Sequence, residues 1–223
     1  MLVKNQLLEE IVAQLATTKI TDDILIKEFK KNGRAVTQVE SFHGILGEMH
    51  MQLALQEICA PYEKRVQSNP IPSGASTESY RFRRNSYGNL AVFRKKNGQQ
   101  HGEFDELLQV DGLPVVFESK LHRTPDHPSV SLSSISAPYG KFYLGRYEAM
   151  FPQKINHLLD QIQQYFHQQA CGYVLIVYPS QLPSPHPVQQ EFLRNGGILV
   201  PFPKDWQEHR KETQELFKRM RTE

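Results

Sequence analysis

Four charged residues with two-residue spacing flank a tight-turn dipeptide in the middle of the chain. Glu103 and Asp105 precede Asp111-Gly112, and Glu118 and Lys120 follow it. An Asp-Gly pair between two apolar runs is a strong signal for a two-residue β-hairpin turn. The sequence therefore predicts a hairpin with charged residues near its open end.

The register of this hairpin decides which charged side chains meet. When the two residues that flank the turn pair with each other, Asp105 lies opposite Glu118 and Glu103 lies opposite Lys120. Cross-strand partners share a face of the sheet, and so do alternate residues along one strand. All four side chains are therefore expected to project from the same face at one end of the hairpin.

Two facing carboxylates constrain the chemistry of that face. At a separation of about 5 Å they repel each other unless one is protonated or a cation lies between them. A hard divalent cation with oxygen ligands, such as Mg²⁺, removes the repulsion, and Lys120 beside it can orient or deprotonate a water. An exposed hairpin end with salt bridges is the alternative. The apolar residues 115–117 instead favour a buried strand, which seldom carries Glu and Lys.

The same residues resemble the motif of a known family. Asp105, a hairpin and then Glu118-Ser119-Lys120 are similar to the motif of the PD-(D/E)XK nuclease superfamily, which includes restriction endonucleases, RecB-like exonucleases and junction resolvases. The resemblance covers about residues 37–180. It implies that Asp105 and Glu118 bind the metal, that Ser119 lends its backbone carbonyl and that Lys120 is the catalytic lysine. Phe104 stands where the motif has Pro.

Glu48 is a further candidate ligand. The family places a Glu on its first core helix, and Glu48 occupies the matching position here. Gly44 and Gly47 lie near it on the same predicted helix. Each helical glycine costs about 1 kcal/mol relative to Ala, so the pair indicates close approach to a sheet, with the Glu48 carboxylate pointing into it. A solvated Glu on an exposed face remains the alternative.

Five other residues are predicted to contact substrate. RecB-like members carry Gln-x-x-x-Tyr on the helix after the catalytic strand, and Gln161 and Tyr165 resemble that pair. Four residues apart, they share a helix face, which could equally be an ordinary polar face. Arg81 and Arg83 share one strand face, and Arg123 follows the catalytic strand. Such cations contact phosphates without reading sequence, although a solvated strand face is an equal alternative.

The elements that must position these residues follow from periodicity. Helices are predicted near residues 7–15, 21–32, 37–60, 152–166, 187–194 and 205–221, and strands at 80–84, 90–95, 99–110, 113–121, 172–178 and 198–202. This order indicates an α/β protein with a mixed sheet flanked by helices, and the resemblance makes it restriction-endonuclease-like. Residues 1–36 are predicted to form an N-terminal helical extension, and residues 37–223 the nuclease-like α/β domain.

Composition excludes several classes of protein. The 223 residues carry 26 Lys and Arg against 24 Asp and Glu, so a polybasic chain is excluded. Two cysteines cannot build a disulfide framework or a four-thiolate zinc site. No signal-like segment opens the chain, and the longest apolar run, residues 173–178, is too short to span a bilayer. We therefore expect a cytoplasmic protein with no membrane partner.

The sequence thus predicts a metal-dependent nuclease that uses Mg²⁺ or Mn²⁺ to hydrolyse phosphodiester bonds in nucleic acid, with DNA as the expected substrate. The family resemblance implies a 5′-phosphate product. One alternative is a catalytically inactive nuclease-like module for nucleic-acid binding or assembly, and another is a phosphoesterase on the same scaffold. Endonuclease or exonuclease action, DNA or RNA preference and homodimer formation stay open.

Overall fold

The structure is a computed structural model that describes residues 5–32, 36, 38–85, 88–119, 121, 151–179 and 197–222. Two predicted site residues, Lys120 and Arg123, lie outside the described residues, as does the predicted helix at 187–194.

Three helices open the described chain: α1 (Gln6–Leu15), α2 (Asp22–Lys31) and α3 (Val39–Cys59). The side chain of Asn5 accepts a hydrogen bond from the backbone N–H of Leu8 at 2.9 Å, which caps the first turn of α1. Helix α2 begins with acidic and ends with basic residues, as the helix dipole favours. The three helices predicted for this part of the chain are confirmed.

The described residues form eight strands in two sheets. The strands are β1 (Val66–Ser68), β2 (Tyr80–Arg84), β3 (Leu90–Arg94), β4 (Gln100–Phe104), β5 (Glu106–Val110), β6 (Leu113–Ser119), β7 (Gly172–Val177) and β8 (Gly197–Pro201). One sheet has the order β1-β5-β6-β7-β8, and the other has the order β2-β3-β4. In the larger sheet β1, β5 and β6 are antiparallel, whereas β6, β7 and β8 are parallel.

Two further helices complete the layers, α4 (Phe151–Phe166) and α5 (Trp206–Thr222). Helices α1, α2, α3 and α5 pack with one face of the larger sheet in a single hydrophobic cluster that includes Phe42 and Phe117. Helix α4 joins the other face to the three-stranded sheet. An α/β protein with a mixed sheet flanked by helices is therefore confirmed. Among the helices that the structure describes, none is long and apolar enough for a bilayer crossing.

The N-terminal helices share their core with the rest of the chain. Buried side chains of α1 and α2, such as Ile11 and Phe29, belong to the same cluster as Phe42 of α3 and Val174 of β7. The boundary predicted at residue 36 stays a prediction.

The predicted strand at 99–110 is wrong in one respect, because it breaks at Asp105. Strand β4 before the break pairs with β3, and β5 after it pairs with β6. Glu103 pairs with Ala91 in the three-stranded sheet, so the expectation that it lies opposite Lys120 is wrong. The chain changes sheets at Asp105, and alternation along the sequence carries no mark of such a change.

Candidate active site at the hairpin end

The hairpin register is confirmed. Val110 pairs with Leu113, and the register continues to Glu106 opposite Phe117. The turn residues Asp111-Gly112 have φ angles of 47° and 83°, which a two-residue hairpin turn requires. One step beyond the last pair, Asp105 and Glu118 occupy the edge where β5 begins and β6 ends.

The Asp105 carboxylate lies against the backbone of β6. Its Oδ2 accepts a hydrogen bond from the backbone N–H of Ser119 at 2.8 Å. Glu118 and Ser119 are buried, with 5% and 8% of their surface exposed. A hydrogen bond to a carboxylate is stronger than one between neutral groups. The structure therefore anchors the Asp105 carboxylate on the backbone of the residue that follows Glu118, and the meeting of the two carboxylates stays a prediction.

Helix α3 is tied to the same edge through Gln52. Its Nε2 donates to the backbone carbonyl of Asp105 at 2.8 Å and lies 3.3 Å from Oδ1 of Asn89. Gln52 follows Glu48 by four residues, so the two share a helix face. The half-buried Glu48 therefore lies one turn from a direct contact with Asp105. Sequence analysis missed Gln52, although its spacing from Glu48 was the available signal.

Gly47 shows how closely α3 approaches the end of β6. A Cβ atom at this position would lie 2.8 Å from Cδ1 of Leu121, which is too close without a shift. The predicted close approach is confirmed at Gly47. Glu48, Asp105 and Glu118 thus belong to three elements that meet at one edge of the larger sheet.

The available donors fit a hard cation in chemical type. Asp105, Glu118 and Ser119 offer only oxygen atoms, which Mg²⁺ and Mn²⁺ prefer. The Ser119 hydroxyl oxygen is buried and has no hydrogen-bond partner within the described ranges. Those ranges contain no group of three His, Cys, Asp or Glu side chains close enough to hold a metal. The structure therefore brings the elements of the site to one edge of the sheet, but the described carboxylates are not close enough to one another to surround a metal ion.

Glu106 is a half-buried carboxyl that sequence analysis missed. Burial raises the pKa of Glu106 to about 7, against the opposing effects of the Leu107 N–H and the Arg84 charge. Glu106 pairs with Phe117. Because neighbouring residues of a strand face opposite sides of the sheet, its side chain is expected on the other side from that of Asp105. A cavity of about 300 Å³ adjoins it, lined in part by residues of α3. The sequence did contain a signal for Glu106, because it places an acidic residue opposite Phe117 in a hairpin that is predicted to be buried.

Gln161 and Tyr165 lie on the side of α4 that faces the three-stranded sheet. Gln161 is buried, and its Oε1 accepts a hydrogen bond from Oγ1 of Thr77 at 2.8 Å. Tyr165 is half-buried and packs edge-on against Phe82, with ring centroids 5.6 Å apart. These contacts link α4 to β2 and to the loop before it. A role of the pair in substrate binding stays a prediction.

Arg81 and Arg83 lie exposed on the outer face of β2, whereas Tyr80 and Phe82 are buried on its inner face. This alternation is confirmed. Arg81 pairs with Phe93 of β3, and the Arg83 guanidinium carbon lies 5.3 Å from the Phe93 ring centroid. That distance suits a cation–π contact. The outer face of the three-stranded sheet is therefore both basic and aromatic.

Comparison of the chain with family models, curated proteins and solved structures gives no match. A functional assignment rests on the residues of this chain and on their placement in its fold.

Proposed function

We propose that this chain is a metal-dependent nuclease with a restriction-endonuclease-like fold, which hydrolyses phosphodiester bonds in nucleic acid and takes DNA as its expected substrate. The observation that carries the proposal is the hydrogen bond from the Ser119 N–H to the Asp105 carboxylate. In the confirmed hairpin register, it anchors Asp105 on the residue that stands between Glu118 and Lys120 in the chain.

The resident cation would be Mg²⁺ or Mn²⁺. Asp105, Glu118 and Glu48 would hold it through their carboxylates, with the backbone carbonyl of Ser119 as a further ligand. A bound divalent cation lowers the pKa of water and stabilises charge on a phosphate. The oxygen-only donor set supports this choice of metal.

One lysine and three arginines complete the proposed mechanism. Lys120 orients the attacking water or takes its proton, which is the part of a general base. Arg81 and Arg83 hold backbone phosphates of the substrate on the outer face of β2, and Arg123 contributes beyond β6. Arg contacts to phosphate provide affinity and position, whereas base contacts provide sequence specificity.

A second candidate is a nuclease-like module that binds nucleic acid or assembles with it without cleavage. It is kept because the described part of the chain contains no group of three His, Cys, Asp or Glu side chains close enough to hold a metal. Under this candidate the Arg81 and Arg83 surface still binds phosphates. The two candidates differ in whether Mg²⁺ binds at Asp105.

A substrate panel tests the proposal. The protein is incubated with circular and linear DNA, single- and double-stranded, and with RNA, each with Mg²⁺, with Mn²⁺ or with a chelator. We expect cation-dependent cleavage with 5′-phosphate ends, and cleavage of circles identifies an endonuclease. Intact substrates throughout, together with calorimetry that detects no bound Mg²⁺ or Mn²⁺, contradict the proposal and favour the binding module.

A further inference from the structure

A cavity of about 300 Å³ lies where helices α2 and α3 meet the beginning of β5. This volume is at the lower end of the range of about 300 to 1,000 Å³ that is typical of small-molecule sites. Among the described residues that line it, Glu28 and Lys31 of α2 form an ion pair at 3.2 Å, so their charges offset each other. The other lining residues therefore decide which kind of ligand fits.

The lining combines amide side chains with apolar ones. Gln52 and Gln56 line the cavity from α3, and Asn69 lines it from the residue after β1. An amide offers two donors and an acceptor, so it can match the edge of a flat heterocycle that carries donors and acceptors side by side. Met49 and Leu53 of α3 line the same cavity, and apolar side chains of this kind can cover the face of a heterocycle.

Glu106 contributes a carboxyl group to the same lining. Its Oε1 accepts a hydrogen bond from the backbone N–H of Leu107 at 3.2 Å. A carboxylate has about four acceptor sites, so this bond does not exhaust its capacity. Carboxylates accept hydrogen bonds from exocyclic amino groups, such as N4 of cytosine. Glu106 therefore favours a heterocycle that carries an amino group.

Gln52 and Glu106 connect the cavity with the candidate active site. Gln52 lines the cavity, and its Nε2 donates to the backbone carbonyl of Asp105 at 2.8 Å. Glu106 directly follows Asp105 in the chain. A ligand in the cavity would therefore lie beside the backbone that carries a proposed metal ligand. Nucleic acid is the substrate that presents flat heterocycles with amino groups close to its phosphates.

We propose that this cavity binds one unstacked nucleobase of the substrate, with the amides and Glu106 at the edge of the base and with Met49 and Leu53 against its face. The proposal rests on the proposed function, since only a nuclease needs a base beside this site, but base binding is measurable without cleavage. Adenine, cytosine and guanine carry an exocyclic amino group and should bind better than thymine, which lacks one. The cavity thus adds base preference to arginines that contact only phosphates.

Binding of single nucleotides tests the cavity directly. The probes are dAMP, dCMP, dGMP and dTMP, titrated without divalent cation at millimolar concentrations and followed by ligand-detected NMR, with deoxyribose 5-phosphate as the probe that lacks a base. Glu106→Met should weaken the three nucleotides with amino groups about tenfold, the equivalent of one hydrogen bond to a charged group, and should leave dTMP unchanged. A wild type that binds no nucleotide more tightly than deoxyribose 5-phosphate overturns the proposal.

A second variant blocks the cavity from its exposed side. Gln56 is exposed on α3, so Gln56→Trp can place a ring in the cavity without disturbing the core, and it should abolish binding of all four nucleotides. The matched control is Gln14→Trp, the same substitution at an exposed position of α1 outside the lining, which should bind as the wild type does. Equal binding by both variants contradicts the proposal.

Cleavage separates this proposal from the proposed function. On single-stranded oligo(dC), Glu106→Met should lower kcat/KM about tenfold, whereas on oligo(dT) it should match the wild type. Equal losses on both substrates assign Glu106 to the active site rather than to a base and overturn the base site. Selective nucleotide binding without cleavage of any DNA or RNA instead overturns the proposed function alone.

Discussion

At the scale of single residues, Asp105 and Lys120 have different proposed roles. Asp105 presents a carboxylate that is anchored by the Ser119 N–H and is proposed as a metal ligand. Lys120 is proposed to handle a proton and not to bind the metal. Substitutions at the two positions should therefore fail in different ways.

Lys120→Ala should lose about 10²- to 10⁴-fold in kcat, the range of a general acid–base group, and should still bind Mg²⁺. Asp105→Asn should lose both Mg²⁺ affinity and cleavage, because it removes the charge of a ligand. Calorimetric titration with Mg²⁺ beside a cleavage assay measures both effects. Cleavage that neither substitution changes would show that the site lies on other residues.

At the scale of elements, α5 is docked through a buried polar group. His209 packs against His43 with ring centroids 4.0 Å apart. The charged and titratable groups around it are His50, Lys204 and Glu212, with Asp22 lining the same small cavity. Lys204 pairs with Glu212 at 2.5 Å. A proton added to His209 would thus enter a site that already holds a buried cation.

This arrangement predicts the pH dependence of stability. The pKa of His209 is well below 6.5 in the folded chain, mainly because of burial, so below pH 6.5 the unfolded state binds the extra proton. The stability that neutral His209 contributes is fully present above pH 6.5. As pH falls from 6.5 toward the folded-state pKa, the free energy of unfolding decreases by about 1.4 kcal/mol per pH unit. Urea unfolding between pH 7.5 and 5 should show a shallower slope for His209→Asn.

The control for this prediction is His167→Asn, because His167 is exposed and should leave the wild-type pH profile unchanged. If His209→Asn gives the same profile as the wild type, His209 is not kept neutral by the folded chain.

Local patterns predicted the hairpin but not its surroundings. Asp111-Gly112 set the register because both residues adopt positive φ angles, a property of the dipeptide itself. The break at Asp105 was not predictable, since β4 and β5 continue one run of strand residues and separate only through their tertiary partners. Gly47 indicated in the sequence that α3 closely approaches the end of β6. The contacts of Tyr178 join residues 57 and 135 positions apart, which periodicity cannot reveal.

At the scale of the whole molecule, candidate chemistry and candidate binding lie on connected elements. The outer face of the three-stranded sheet carries Arg81, Arg83 and Phe93. Strand β4 of that sheet leads directly to Asp105. A nucleic-acid strand on this face would be guided by positive charge and an aromatic ring, which suits single-stranded substrate.

Simultaneous Arg81→Ala and Arg83→Ala substitution should weaken nucleic-acid binding and reduce the slope of log affinity against log salt by about 1.4 to 1.8, because each phosphate contact contributes about 0.7 to 0.9. Fluorescence anisotropy at several salt concentrations measures this slope. The matched control is the pair Arg210→Ala and Lys211→Ala on α5, which packs on the opposite face of the larger sheet. Equal slopes for both double variants would exclude the sheet face as the binding surface.

The central claim is that Asp105 and Glu118 at the hairpin end form a cation-dependent catalytic site. Its most direct test is the cleavage rate of labelled DNA against Mg²⁺ concentration, with Mn²⁺ in parallel, for wild type and Asp105→Asn. We predict a wild-type rate that rises to saturation with the cation and disappears with chelator, and no comparable rise for Asp105→Asn. Cation-independent cleavage, or the same cation dependence in both proteins, would contradict the account.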